Sequence, residues 1–201
     1  MTLHADIDVQ RLPQFVFGSR GIMWWGIVGF LAIETTMLSI CILAYFYLRS
    51  GAAIWPPPPV SPPSLDAGTV TFALLLLSIV PMTYTERAAK RLDLRATIVG
   101  HLACDAVGIA ILVTRSLEFY RMNVLWDANA YGSVLWSILV LHTVHLFAEV
   151  IETIVITVMF LSGDTLPKHI VDATDNGLYW YFIVAIWVPC YVTIYLVPRF
   201  A

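Results

Sequence analysis

Five stretches of the chain, residues 22–47, 68–84, 96–117, 131–161 and 178–197, are apolar almost throughout. Crossing a hydrocarbon core about 30 Å thick takes roughly 20 residues of helix. Backbone N–H and C=O groups in lipid must be paired within the segment unless strands close into a barrel. These runs lack the strict alternation of barrel strands, so they predict an all-α polytopic membrane protein with five transmembrane helices in a bundle. Composition agrees: 59% of residues are hydrophobic and 12% charged, where an ordinary soluble domain has about 25% charged, and the mean hydropathy is +0.80. We read residues 1–201 as a single membrane domain without internal repeats.

Arginine and lysine set the orientation of short-looped membrane proteins. With the N-terminus inside, the inner segments hold Arg11, Arg20, Arg87, Lys90, Arg91, Arg95 and Lys168, and the outer ones hold Arg49, Arg115, Arg121 and Arg199. The excess on the first side predicts a cytoplasmic N-terminus and a periplasmic C-terminus, led by the short basic turn "ERAAKRLDLR" at 86–95. The segment "MTLHADIDVQRLPQFVFGSR" carries Asp6 and Asp8 ahead of a full-length span, unlike a cleavable signal, so it is expected to be retained. The net charge of −3 suggests no nucleic-acid partner. Cys41, Cys104 and Cys190 stand singly in separate spans, and we expect buried apolar residues there rather than thiolate ligands.

The proline-rich "IWPPPPVSPPSLD" at 54–66 is expected to be a stiff, extended outer loop with Trp55 at headgroup level. The polar 162–177 segment is expected to link the fourth and fifth spans, with Asp175 or Asn176 capping the fifth helix. Small residues allow helices to approach closely in lipid. Gly26 and Gly29, and Gly100, Ala103 and Gly108, are candidates for such contacts.

Polar side chains inside the spans carry the functional question, because a charge at a helix centre costs about 2.5–3.5 kcal/mol on insertion scales. Glu34 lies midway along the first span. His101 and Asp105, four residues apart, share a helix face and predict a paired couple. Arg115 and Glu118, three apart, read as an ion pair at the outer boundary. The stretch "LHTVHLFAEVIE" at 141–152 places His142, His145, Glu149 and Glu152 on one arc of the fourth helix. Histidine and carboxylate suit iron or zinc, yet helical di-metal sites use Glu-x-x-His from two helices with further carboxylates. The chain has no Glu-x-x-His, and no second span carries a matching histidine pair. A polar stripe that packs against another helix or subunit is the expectation, with no metal ligands and no catalytic residue.

The ordered set of segments resembles one family. "GIMWWGIVGFLAIETTMLSICILAYFYLR" at 21–49, the following Trp55-Pro56-Pro57, "SLEFYR" at 116–121, "YGSVLWSILVLHTVHLF" at 131–147 and "LYWYFIVAIWVPCYVTIY" at 178–195 are similar, in sequence order, to motifs of subunit III of the haem-copper terminal oxidases. The five-span length is similar to that family's short bacterial form. Tyr181 and Val184 stand where the family pattern has histidine and aspartate, Leu178 stands at its leading tryptophan, and Val140 and Thr143 replace the glycines flanking its histidine pair.

The resemblance implies a non-catalytic accessory subunit of a respiratory complex in the bacterial inner membrane. In such a complex oxygen reduction is coupled to proton translocation. This chain would bind no cofactor, with haem and copper in partner subunits. It would stabilise subunit I as its main partner, meet subunit II and other respiratory subunits, hold phospholipid and support proton uptake. Glu34 would be the buried carboxylate lining a lipid cleft. His101, Asp105, Glu118, His142, His145 and Glu149 would form a helix-packing polar network, and Trp55, Arg87, Arg91 and Arg95 would face headgroups. The alternatives are a subunit III-like protein of a quinol oxidase or nitric oxide reductase complex, an independent proton-coupled transporter built on the same buried acids and histidines, or a membrane metalloenzyme centred on His142 and His145.

Overall fold

A computed structural model describes residues 17–163 and 167–200. It contains five long helices, α1 (Ile22–Ser50), α2 (Leu65–Lys90), α3 (Leu94–Tyr120), α4 (Ala130–Ser162) and α5 (Pro167–Tyr191), and no strand among the described residues. All five are long and apolar enough to cross a membrane. After Tyr191 the fifth span continues through a π-helical turn, Val192–Leu196, and a 3₁₀ turn, Val197–Arg199.

The helices overrun the apolar stretches at most ends, because polar residues extend a helix past the hydrocarbon without cost. Asp93 caps α3 by accepting from the Ala96 amide at 3.1 Å, and Asn129 caps α4 by accepting from Gly132 at 2.8 Å. Gly163, with φ of 83°, closes α4 in the left-handed conformation that glycine adopts freely. The largest departure from expectation is α5. It starts at Pro167 rather than 178, so Asp175 and Asn176 are not caps but buried residues inside the helix. Their polar atoms turn towards neighbouring helices, which a hydropathy reading of one segment cannot register.

Connections are short, so successive helices alternate in direction. The start of α1, the α2–α3 turn and the α4–α5 link lie on one face, which we call the basic-turn face. The opposite face carries the proline-rich loop and the α3–α4 link. That loop is not simply extended. The Val60 amide donates to the Pro57 carbonyl at 3.0 Å, Asn123 donates to the Pro62 carbonyl at 3.1 Å, and Arg199 donates to the Pro63 carbonyl. Prolines lack donors but leave carbonyls free, and neighbouring segments use them.

The fifth span packs against α1, α2 and α4, while among the long helices α1 packs mainly on α4 and α5. Half of the fifth span's most apolar window is buried against 11% of that of α1, so most of α1 faces outward. Glycines sort the close approaches. A Cβ on Gly100 would lie 2.3 Å from Thr85 Oγ1 and 3.1 Å from the Thr85 Cα, so α2 and α3 meet there almost backbone to backbone. A Cβ on Gly108 would lie 2.9 Å from Val150 and 3.3 Å from Trp180. Gly26, Gly29 and Ala103 do not act this way: nothing lies within 4 Å of a Cβ at either glycine, and Ala103 is exposed. Their spacing was right and their helix face wrong. Gly26→Ala and Gly29→Ala are therefore expected to leave stability unchanged or to raise it by up to about 1 kcal/mol through helix propensity, as read by thermal unfolding in detergent. Cys104 and Cys190 are buried and Cys41 is half-buried, all with free thiols.

Candidate functional site

Two buried polar clusters tie the bundle together, both reaching α5. The first lies at the junction of α1, α4 and α5. Glu34 of α1, 1% exposed, accepts from the Tyr179 hydroxyl of α5 at 2.5 Å, and His145 Nε2 of α4 stands 3.3 Å from the same oxygen, Oε1. One turn further along α4, Glu149 is fully buried and accepts from Asn176 Nδ2 of α5 at 2.9 Å; that amide nitrogen also reaches Thr153 Oγ1 at 3.1 Å. Tyr179 and Asn176 are three apart and so present a common face to α1 and α4.

The second cluster sits nearer the proline-loop face. Arg115 and Glu118 of α3 form an ion pair at 2.8 Å, both about 1% exposed. The expected ion pair is formed, and it is buried among the helices. What favours this is a set of partners on other helices, since a buried ion pair needs its remaining polar atoms satisfied, although Arg115 Nε has no hydrogen-bond partner. The other Glu118 oxygen accepts from the Tyr195 hydroxyl, Arg115 Nη2 lies 3.3 Å from His142 Nδ1, and the guanidinium stacks 3.9 Å from the centre of the Trp187 ring. Arginine only donates, so His142 Nδ1 accepts and its Nε2 carries the proton, donated to the Ile183 carbonyl at 3.1 Å. His142 is neutral in this arrangement.

The stripe on α4 therefore divides. His142 turns to Arg115 and α5, His145 to Glu34, Glu149 to Asn176, and Glu152 is exposed. They do not converge on one point. Among the described residues no group of three or more histidine, cysteine, aspartate or glutamate side chains is placed to hold a metal ion.

The His101–Asp105 couple is not formed as expected. His101 is buried, but its Nδ1 meets the Thr97 carbonyl of its own helix at 3.0 Å, its ring packs on Phe160, and its Nε2 and Asp105 Oδ1 each lack a hydrogen-bond partner. Asp105 instead faces Thr157 of α4. Four-residue spacing put the two on one face, and the backbone carbonyl one turn back claimed the ring. Trp55 is half-buried, edge-on to Tyr45 and Tyr131 with ring centres 5.4 and 5.0 Å apart. It is an inner packing residue of the proline loop rather than a free headgroup anchor. Arg87, Arg91 and Arg95 are exposed around the α2–α3 turn, while Lys90 pairs with Glu86.

Sequence reasoning named Glu34, Glu118, His142, His145 and Glu149 but missed the partners that fix them: Tyr179, Asn176, Tyr195 and Trp187. The signal was the need for one. Each ionisable residue in a span requires a polar partner on another span, and α5 carries the hydroxyls and the amide that supply it.

Residues 14–198 match the family described as cytochrome c oxidase subunit III. The chain belongs to the cytochrome c oxidase subunit III family. It is 28% identical over 175 residues to cytochrome c oxidase subunit 3 of Alkalihalophilus pseudofirmus, covering 83% of this chain and 82% of that one. To the same-named protein of Synechocystis it is 22% identical over 202 residues, covering 96% and 85%. To that of Drosophila yakuba it is 23% identical, covering 85% of this chain and 68% of the relative. The subunit III motifs read from the sequence thus fall on helices that touch. Tyr181, where the family pattern has histidine, donates to Glu86 Oε2 at 2.9 Å and ties α5 to the end of α2; Val184, in place of aspartate, lies in the apolar core.

Proposed function

We propose that this chain is a non-catalytic accessory subunit of a respiratory haem-copper oxidase, embedded in the bacterial inner membrane with its N-terminus cytoplasmic and its C-terminus periplasmic. The observation that carries the reading is the subunit III family match across nearly the whole chain, joined to a bundle in which Glu34, Glu118 and Glu149 are each bound by a side chain of the fifth span. On this reading residues 1–201 act as one membrane domain. The chain stabilises subunit I and touches subunit II, while haem and copper reside in those partners and carry the electron chemistry. Arg87, Arg91 and Arg95 lie where anionic headgroups would add about 1 kcal/mol of attraction per cation, supporting lipid retention and proton uptake at the cytoplasmic surface.

The test is affinity purification of the tagged chain from native membranes in mild detergent, followed by identification of the accompanying polypeptides. Stoichiometric recovery of a large oxidase subunit supports the reading; recovery of the chain alone, with the membrane's oxidase activity left behind, refutes it. A narrower prediction concerns Glu34. The outward-facing surface of α1 beside Glu34 is the part of the bundle least covered by this chain, and we assign it to lipid and partner contact. Glu34→Ala is expected to leave the complex assembled but to lower its bound phospholipid or shorten its active lifetime during turnover. Wild-type values for both would remove Glu34 from that role.

A further inference from the structure

The seam between α3 and α4 carries a groove on the outside of the bundle. Its half nearer the proline-loop face is a cleft of about 340 Å³, lined by Leu112, Ser116 and Phe119 of α3 and by Val140, Val144 and Phe147 of α4. A second cleft, of about 540 Å³, runs on from Val140 to Trp136 and Trp126. Arg115 adds to the lining of the first, and its Nε is buried without a hydrogen-bond partner. The stripe on α3 runs through Asp105, Ile109, Leu112, Ser116 and Phe119; that on α4 runs through Val140, Val144, Phe147 and Ile151, which are 42–56% exposed. Steps of four and three alternate along both, the 3.5-residue spacing that keeps a stripe against one neighbouring helix.

Asp105 stands at the far end of the α3 stripe. It lies eleven residues from Leu94 and fifteen from Tyr120, so about 16 and 22 Å of helix separate it from the two ends. A carboxyl group there is near the middle of the hydrocarbon. The residue is half-buried, and its Oδ1 is buried and unpartnered. The polar groups of this chain that face it are Thr157 of α4 and His101 one turn back, and both have their protons engaged elsewhere. The Thr157 hydroxyl donates to the Thr153 carbonyl at 2.9 Å, and His101 donates from Nδ1 to the Thr97 carbonyl at 3.0 Å. An ionisable side chain at that depth needs a partner, a water-filled cavity or another protein. Around Asp105 the surface of α3 is open to other molecules, since Leu102, Ala106 and Ile109 are exposed.

Shape and the missing donor together select the occupant. A lipid chain would fill the apolar clefts, but its headgroup stays at the interface and its hydrocarbon satisfies neither Asp105 nor Arg115 Nε. A helix of another polypeptide does both, because apolar side chains fit between the two stripes while one long basic side chain reaches the carboxyl. We propose that the α3–α4 groove receives a transmembrane helix of a partner subunit, one that carries a lysine or arginine within its span and pairs it with Asp105. This rests on the reading of the chain as a subunit of a larger complex, and adds the face and the charge by which it is held there.

The test is a photoreactive benzophenone side chain at Val144, which is 56% exposed and so tolerates replacement, in the tagged chain illuminated in native membranes. The expected product is an adduct with one other polypeptide, mapped to a transmembrane segment that contains a lysine or arginine. Asp105→Leu should lower the adduct yield about tenfold, the weight of one hydrogen bond between helices in lipid, and Asp105→Asn should lower it less, because its amide oxygen still accepts. Asp105→Lys combined with aspartate at the mapped basic position should restore the yield, which a purely structural role of Asp105 within this chain would not allow. Adducts with lipid alone, with a second copy of this chain or with a segment lacking a basic residue would overturn the proposal, as would an unchanged yield in Asp105→Leu. Should Asp105→Leu fail to fold, the adduct of the otherwise wild-type chain decides the question. If one of those contrary results comes from a preparation that still contains a large oxidase subunit, the accessory-subunit reading stands and only the docking face falls; if the tagged chain is recovered alone, both fall.

Discussion

Replacing Glu118 with alanine is expected to destabilise the folded chain by about 3–5 kcal/mol, the range for breaking a buried ion pair from one side. The loss leaves the Arg115 guanidinium, 1% exposed, without its counter-charge in a low-dielectric interior, and leaves the Tyr195 hydroxyl without its acceptor. The effect should spread, because Arg115 also fixes His142 and lies over Trp187. Three spans are therefore joined at one cation. The measurement is thermal unfolding of purified protein in mild detergent, compared with the double variant Arg115→Met, Glu118→Met. Removing both charges should restore most of the lost stability, since the desolvated charge, rather than the absent contact, carries the penalty. Equal destabilisation in the single and double variants would mean that shape, not charge, holds the cluster together.

Gly100→Val should be comparably damaging for a different reason. A Cβ at that position falls 2.3 Å from Thr85 Oγ1 and 3.1 Å from the Thr85 Cα and Cβ, and a backbone atom cannot rotate away. Helices α2 and α3 would have to separate, withdrawing the Thr85 contact with Cys104 at 3.7 Å and the packing around it. Overpacking of an interior commonly costs about 1–3 kcal/mol, and a clash against main chain belongs at or above the top of that range. Unfolding should shift accordingly, whereas Gly26→Ala, where no atom stands near, should not lower stability. A stable Gly100→Val protein would show that the α2–α3 contact is looser than the geometry requires.

The contrast between Gly100 and Gly26 shows what the sequence could and could not reveal. Helix number and type were legible because lipid forces long apolar runs to pair their backbone internally. Which face of each helix turns inward was not, because these spans are apolar all round and leave no polar side to mark the exterior. Buried ionisable residues stood out against hydrocarbon, so Glu34, His142, His145 and Glu149 were visible one by one. Their partners were not, since Tyr179 and Asn176 resemble interface and capping residues until α5 is known to begin at Pro167. That Arg115 and Glu118 turn into the bundle was hidden for the same reason, because their place along α3 says nothing of the face they occupy.

On the proposed function, the ionisable groups of this chain hold helices and lipid while electrons move in partner subunits. Its most direct test is optical and metal analysis of the purified complex before and after this subunit is stripped from it. All haem absorbance and all copper and iron are expected to stay with the remaining polypeptides, and the released chain is expected to have neither. Haem or stoichiometric redox metal bound to the released chain would contradict it.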